Sequence, residues 1–261
     1  MCIRDSFVFD RPEWIALGAR AFDAVQRLLR DPASGRLHHS YRAGKRGPVA
    51  MLDDHAALAR AGVALHEASG DAVALEAAAT FADEAHELYW DEEGGGCFFA
   101  ASDAGDLVAR PKHAHDNATP SGNGVLAQAL ARLWLLTGEP RHRDRAAATV
   151  AAFTGELERN FFPLSTLLVA SELLQSAKQL VVVGPATASG TAALLHAAAR
   201  ASTQPILVIQ RIAPEASLPA SHPAPGKGMR AGRPTAYLCR GTVCSAPLEE
   251  PAALAEALAA R

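Results

Sequence analysis

The chain has 261 residues, of which 49% are hydrophobic and 20% charged, enough apolar material to bury a sizeable core in one large domain or one domain with an appendage. A formal net charge of -3 argues against a general nucleic-acid binder, whose phosphate contacts need a basic excess. No apolar run reaches the roughly 20 residues that span a bilayer, and no charged segment with an apolar run behind it opens the chain, so neither nucleic acid nor membrane is an expected partner.

Residues 1–6, Met1-Cys2-Ile3-Arg4-Asp5-Ser6, read as the translation of a common sequencing adapter. They are set aside from the fold as non-native, and the natural chain is expected to continue upstream of Phe7. The remaining cysteines, Cys97, Cys239 and Cys244, are too scattered for a disulfide framework. A reducing, cytoplasmic setting is the expectation.

Asp10-Arg11-Pro12 signals a helix start, and Ile15, Gly18, Phe22, Val25 and Leu29 recur at helical spacing until Asp31-Pro32 stops the run. A second helix is predicted from Asp53-Asp54 to Gly70, and a third from Asp71 to about Trp90, its alanines implying close helix packing. The fourth begins at Thr119-Pro120, with Thr119 as N-cap, and stops at Gly138. The fifth runs from Glu139-Pro140 to about Arg159, and the sixth follows Pro163. Six helices make three hairpins over residues 7–177.

An internal repeat supports this pairing. Asp31 is followed four residues later by Gly35 and then Leu37, as Asp91 is by Gly95 and then Cys97, and two helices end alike in Ser69-Gly70-Asp71 and Thr137-Gly138-Glu139. A period of about sixty to seventy residues is one helical hairpin with its long connection, a unit that needs stacked neighbours.

Residues 178–261 form a small α/β appendage. Gln179 to Val183, Thr191 to Ala201 and Ile206 to Ile209 read as strand, helix and strand, a βαβ unit. A loop carrying Pro214, Pro219, Pro223 and Pro225 is predicted to be exposed and mobile. Ala236 to Cys239 reads as a last strand, and Pro251 opens a terminal helix.

Several stretches together resemble one family: Leu52-Asp53-Asp54-His55-Ala56, Trp90 to Phe99, Arg110-Pro111-Lys112, Asp116, Ala118 to Asn123, and Gly232 to Cys239 with Cys244 and Pro247. In this order, from about Arg11 to the end, they resemble the C-terminal half of the thioredoxin-domain-containing proteins related to spermatogenesis-associated protein 20. The resemblance implies a longer parent with an upstream thioredoxin-like domain as partner. It also implies a mainly α fold in which the three hairpins are half of an (α/α)6 toroid similar to N-acylglucosamine 2-epimerases and other six-hairpin sugar-active enzymes. His115 stands where that family usually has tyrosine and Asn117 where it has glycine, so neither loop histidine is carried over as a functional residue.

Arg110 to Gly124 concentrates polar side chains ahead of an apolar helix. In a toroid the starts of the second and fourth helices face one funnel, which brings Asp53, Asp54 and His55 towards Asp116, Asn117, Ser121 and Asn123. Asp53, Asp54 and Asp116 are candidate catalytic carboxylates, because paired carboxylates supply the acid and base of glycoside hydrolysis. His55, Arg110, Lys112, Asn117, Thr119, Ser121 and Asn123 are candidate ligand contacts, and histidine could abstract a proton beside a sugar carbonyl. The plainer reading is that Asp53 and Asp54 cap a helix and the loop satisfies its own backbone. Asp91-Glu92-Glu93 lacks calcium-loop spacing and reads as a turn, and Gly184 to Gly190 lacks a phosphate-loop signature. No metal or cofactor is expected. A sugar-like small molecule is the expected ligand of the parent, with a non-catalytic scaffold serving the thioredoxin-like domain as the alternative.

Overall fold

The computed structural model describes residues 5–6, 9, 11–105, 107–201, 205–218, 222 and 224–259. It is mainly helical, and the order of elements follows the sequence reading. α1 (Glu13–Leu29) leads to a two-stranded hairpin, β1 (Tyr41–Arg42) and β2 (Lys45–Arg46). α2 (Leu52–Ser69) and α3 (Ala72–Tyr89) are joined through Gly70, which takes the left-handed conformation (φ 74°) that a side chain disfavours, and Asp71 caps α3 by accepting from the Val73 amide at 2.9 Å. α4 (Gly122–Thr137) ends in the same way at Gly138 (φ 77°), and α5 (Pro140–Ala152), α6 (Thr154–Arg159) and α7 (Ser165–Ser176) follow.

The helices form two rows. α2, α4 and α7 pack neighbour on neighbour, and α1, α3 and α5 lie outside them, each against its hairpin partner. Small side chains set the spacing within a hairpin: a Cβ on Gly62 of α2 would lie 2.6 Å from the Ala74 carbonyl oxygen of α3, so that approach requires glycine. Phe81, Tyr89, Leu126, Leu133 and Leu136 are almost fully buried between the rows.

The sequence repeat is a repeat of hydrogen bonds. The Asp31 amide donates to Arg36 and the Gly35 amide to Asp31, while the Asp91 amide donates to Gly96 and the Gly95 amide to Asp91, all at 2.8–2.9 Å. Each turn is followed by a lone antiparallel bridge, Arg30 with Leu37 and Trp90 with Cys97. Two identical turns therefore open the two long connections into α2 and α4.

In the appendage β3 (Lys178–Val183), α8 (Ser189–Ala201) and β4 (Leu207–Ile212) make the expected βαβ unit, with β3 and β4 parallel. β5 (Thr235–Arg240) pairs antiparallel to β3 and β6 (Val243–Cys244) closes the edge, giving the order β4-β3-β5-β6. α8 and α9 (Pro251–Ala259) cover the face that carries Leu180 and Val182. The opposite face meets the C-terminal ends of the inner row. Gln179 and Gln210 donate to the Leu135 and Leu136 carbonyls at the end of α4, at 2.6 and 3.1 Å. Arg132 pairs with Glu67 at 2.7 Å and donates to the Leu207 and Pro205 carbonyls.

Three expectations are corrected. α4 starts at Gly122 with Ser121 as its cap, not at Thr119-Pro120. The fifth helix is broken at Phe153, whose side chain turns into the core at 3% exposure while its backbone leaves the helical region (φ -114°, ψ 14°). Cys239 and Cys244 are cross-strand neighbours and form a disulfide. Of residues 1–6, Asp5 and Ser6 are described, Ser6 being buried with its carbonyl accepting from the Arg11 amide, and residues 1–4 lie outside the described set. The proline-rich loop is exposed at Pro214 and Pro225, as expected, with Ala224 buried and the Tyr237 hydroxyl donating to the Gly228 carbonyl at 2.6 Å; Pro219 and Pro223 are outside the described residues.

His142 of α5 is 1% exposed and neither ring nitrogen has a partner among the described residues. Burial holds its pKa down at about 4 against an ordinary 6.5. The folded chain thus refuses a proton that the unfolded chain accepts, so this ring contributes stability that is present above pH 6.5 and lost as pH falls towards 4. Thermal unfolding at a series of pH values is expected to show His142→Leu losing less stability than the parent sequence between about pH 7 and about pH 4.5.

Candidate functional site

The inner helices α2, α4 and α7 begin at one end of the bundle, and their starts touch. Asp116 joins two of them: its Oδ1 accepts from the Ser121 amide at 3.0 Å, and its Oδ2 from the Thr166 amide at 2.8 Å and the Ser165 hydroxyl at 3.1 Å. Burial pushes the Asp116 carboxyl up, but these three donations and that of the Thr166 side chain outweigh it and hold the pKa below the ordinary value. It is an ionised cap shared by α4 and α7. Ser121 completes the start of α4 by accepting from the Gly124 amide at 3.2 Å.

Most of the polar residues singled out by the sequence are occupied in the same manner. Asp54 accepts from the Met51 amide at 2.8 Å, capping α2, and meets His39 Nδ1 at 3.0 Å. Asn123, 1% exposed, accepts from the Cys97 amide at 2.7 Å and donates to the Cys97 and His113 carbonyls at 2.8 and 2.9 Å, using its whole amide to clamp the long connection onto α4. The Arg110 guanidinium bonds the Ala100 carbonyl and lies 4.3 Å from the centre of the Phe98 ring. Lys112 reaches Asp91 at 2.5 Å and the Gly95 carbonyl at 2.8 Å, so Asp91 is a turn residue held by a lysine.

His55 is moved from the ligand set into the core. It is 2% exposed, with Nδ1 3.2 Å from the Tyr89 hydroxyl and Nε2 3.4 Å from Glu84. Glu84 also receives Arg30 through two bonds of 2.7 and 3.1 Å. Burial opposes ionisation of Glu84, and the bonds from His55 and Arg30 overcome it, lowering its pKa. Periodicity shows only that these positions fall on helices, so the Arg30–Glu84–His55 chain was not legible in the sequence. Asn117 and Thr119 lie on the exposed turn, where the Asn117 amide donates to the Thr119 carbonyl.

Asp53 stands apart. It is the residue of this end whose pKa is raised, chiefly by burial and further by the adjacent Asp54, against the opposing pull of His113 and the Gly122 amide. It lines a crevice too narrow to admit a water-sized molecule, together with Leu52, Phe99, His113, Gly122 and Asn123. Gly122 leaves room for this carboxylate: a Cβ at that position would press on the Asp53 and Leu52 side chains, which would have to shift. A carboxyl of raised pKa beside an exposed imidazole is placed to donate or accept a proton. His113 and Phe99 were missed as site residues; the available signal was alternation, since His113 and His115 are exposed on either side of the fully buried Ala114. His115 faces Glu156 at 3.0 Å instead.

The chain is 31% identical over 246 residues to spermatogenesis-associated protein 20 of Homo sapiens and 32% identical to that of Rattus norvegicus, covering 90% of this chain and 31% of each relative. It therefore spans less than a third of the length of those relatives. No family model matches it. Among solved structures, cellobiose 2-epimerase from Spirochaeta thermophila DSM 6192 aligns with 58% of this chain and 40% of its own, at 22% identity and a TM-score of 0.47.

Two substitutions separate the clamp from the odd carboxylate. Asn123→Ala leaves the buried Cys97 amide without its acceptor and is expected to cost about 3 kcal/mol in denaturant unfolding. Asp53→Asn is expected to do the reverse. A carboxyl whose folded pKa is raised costs stability once pH exceeds its unfolded pKa, so the neutral amide should raise the unfolding temperature at pH about 7 and make no difference at pH about 3.

Proposed function

On the kinship of nine-tenths of this chain with one part of spermatogenesis-associated protein 20, we propose that it forms one wall of a funnel in a longer helical toroid. The ligand of that funnel is a sugar or sugar-like molecule, engaged at the N-terminal ends of α2, α4 and α7. The observation that carries this reading is Asp53, a half-buried carboxyl of raised pKa at the mouth, in a bundle end where the neighbouring carboxylates Asp54 and Asp116 are consumed as caps. Asp53 is the acid or base, His113 its electrostatic partner, and Phe99 the apolar floor. With Asp53 the one carboxylate of raised pKa among the described residues of this wall, proton transfer beside a sugar carbonyl fits better than the two-carboxylate chemistry of glycoside hydrolysis.

A second reading has its own support. Arg110, Lys112, Ser121 and Asn123 are all spent on internal bonds, which suits a scaffold presenting an upstream thioredoxin-like domain without catalysis. The two are distinguished by solvent proton exchange. The longer protein, incubated in deuterated water with reducing mono- and disaccharides, is expected to incorporate deuterium next to the carbonyl carbon as followed by NMR, and Asp53→Asn to lower that rate by about a hundredfold or more. No exchange with any sugar, or exchange unaffected by Asp53→Asn, would leave the scaffold reading.

A further inference from the structure

The disulfide between Cys239 and Cys244 joins β5 to the edge strand β6, and its two ends differ. Cys239 is 4% exposed on a strand flanked on both sides, whereas Cys244 lies on an exposed strand of two residues. Cys244 also lines a cavity of about 510 Å³ at the C-terminal ends of α4 and α7, together with Trp134, Leu173, His222 and Lys227. The third cysteine, Cys97, is buried, and burial pushes its thiol up to about 12, which keeps it out of exchange chemistry.

Stapling the fold does not account for this bond. It closes a loop of four intervening residues that backbone pairing already closes through Arg240 with Val243, and the Ser245 amide donates to the Leu238 carbonyl at 2.8 Å. Cross-links over such short loops restrict the unfolded chain least. β5 is held independently by six-residue pairing with β3, so the sheet does not need the bond. What the bond adds is a second, covalent hold on β6, which carries one side of the cavity.

We propose that Cys239–Cys244 is a thiol–disulfide exchange site, with Cys244 the sulfur attacked and a dithiol the reaction partner. A thiolate of the dithiol attacks Sγ of Cys244, the bond between the two cysteine sulfurs breaks, and the electron pair leaves on Sγ of Cys239, which takes up a proton. The second thiol of the partner then attacks the mixed disulfide, releasing Cys244 as its thiol and leaving the partner oxidised. The protein gains two electrons and two protons, and the dithiol loses them. Reduction leaves β6 held by its short backbone pairing alone, which loosens the cavity wall while the helical core stays folded.

The test uses the full chain in graded dithiothreitol, followed by alkylation and mass spectrometry, with circular dichroism in parallel. Cys239 and Cys244 are expected to become alkylated while Cys97 stays protected and the helical signal is unchanged, and amide exchange at 243–245 is expected to rise. Cys239→Ser is expected to trap oxidised glutathione as a stable mixed disulfide on Cys244, at a rate at least tenfold above that on Cys239 in Cys244→Ser. Reduction that occurs only together with unfolding, or equal trapping on the two cysteines, would overturn the assignment.

Discussion

An α-helix begins with backbone amides that have no acceptor inside the helix, and in this chain the starts of α2, α4 and α7 are brought to one place. Satisfying those amides in a partly buried setting is the constraint on which that end of the molecule depends. Asp54 serves α2, Ser121 serves α4, and Asp116 serves α4 and α7 together. The long connection between α3 and α4 exists in its observed path because Asn123 clamps it and Lys112 ties it to the preceding turn. A polar sequence that looks like a reaction centre is thus in large part the fastening of three helices.

What remains after the fastening has a definite electrostatic character. Carboxylates that receive several amide donors are stabilised as anions, as Asp116 is, even though burial works against them. Asp53 receives one amide and sits beside a second carboxylate, so for it burial wins. The difference between the two residues is one of donor number, not of exposure alone. That is why a wall built mostly of caps can still present one carboxyl suited to proton transfer.

Much of this was legible in the sequence. Gly70 and Gly138 marked helix ends because only the left-handed conformation closes them, and the Asp-to-Gly spacing at 31–35 and 91–95 announced turns that the structure repeats bond for bond. Side-chain bookkeeping was not legible. Whether Asp116 or Thr119 supplies the first acceptor for α4 depends on where α7 starts, about fifty residues later, and His55 turned inward because Glu84 and Tyr89 wait for it on α3. The disulfide was hidden for a related reason. A spacing of five residues means nothing until a tight turn at Gly241 (φ 57°) sets Cys244 opposite Cys239 across two strands.

The appendage reads as an afterthought in the chain but not in its energetics. The final carbonyls of α4 find their donors in Gln179 and Gln210, and the Arg132–Glu67 pair is finished by carbonyls that precede and open β4. Severing the chain between Ser176 and Lys178 would therefore leave the helical piece with open carbonyls and an arginine stripped of two acceptors, and the sheet with Gln179 lacking the acceptor it has in the whole chain. The visible change from helix to sheet is thus crossed by buried hydrogen bonds that both parts share.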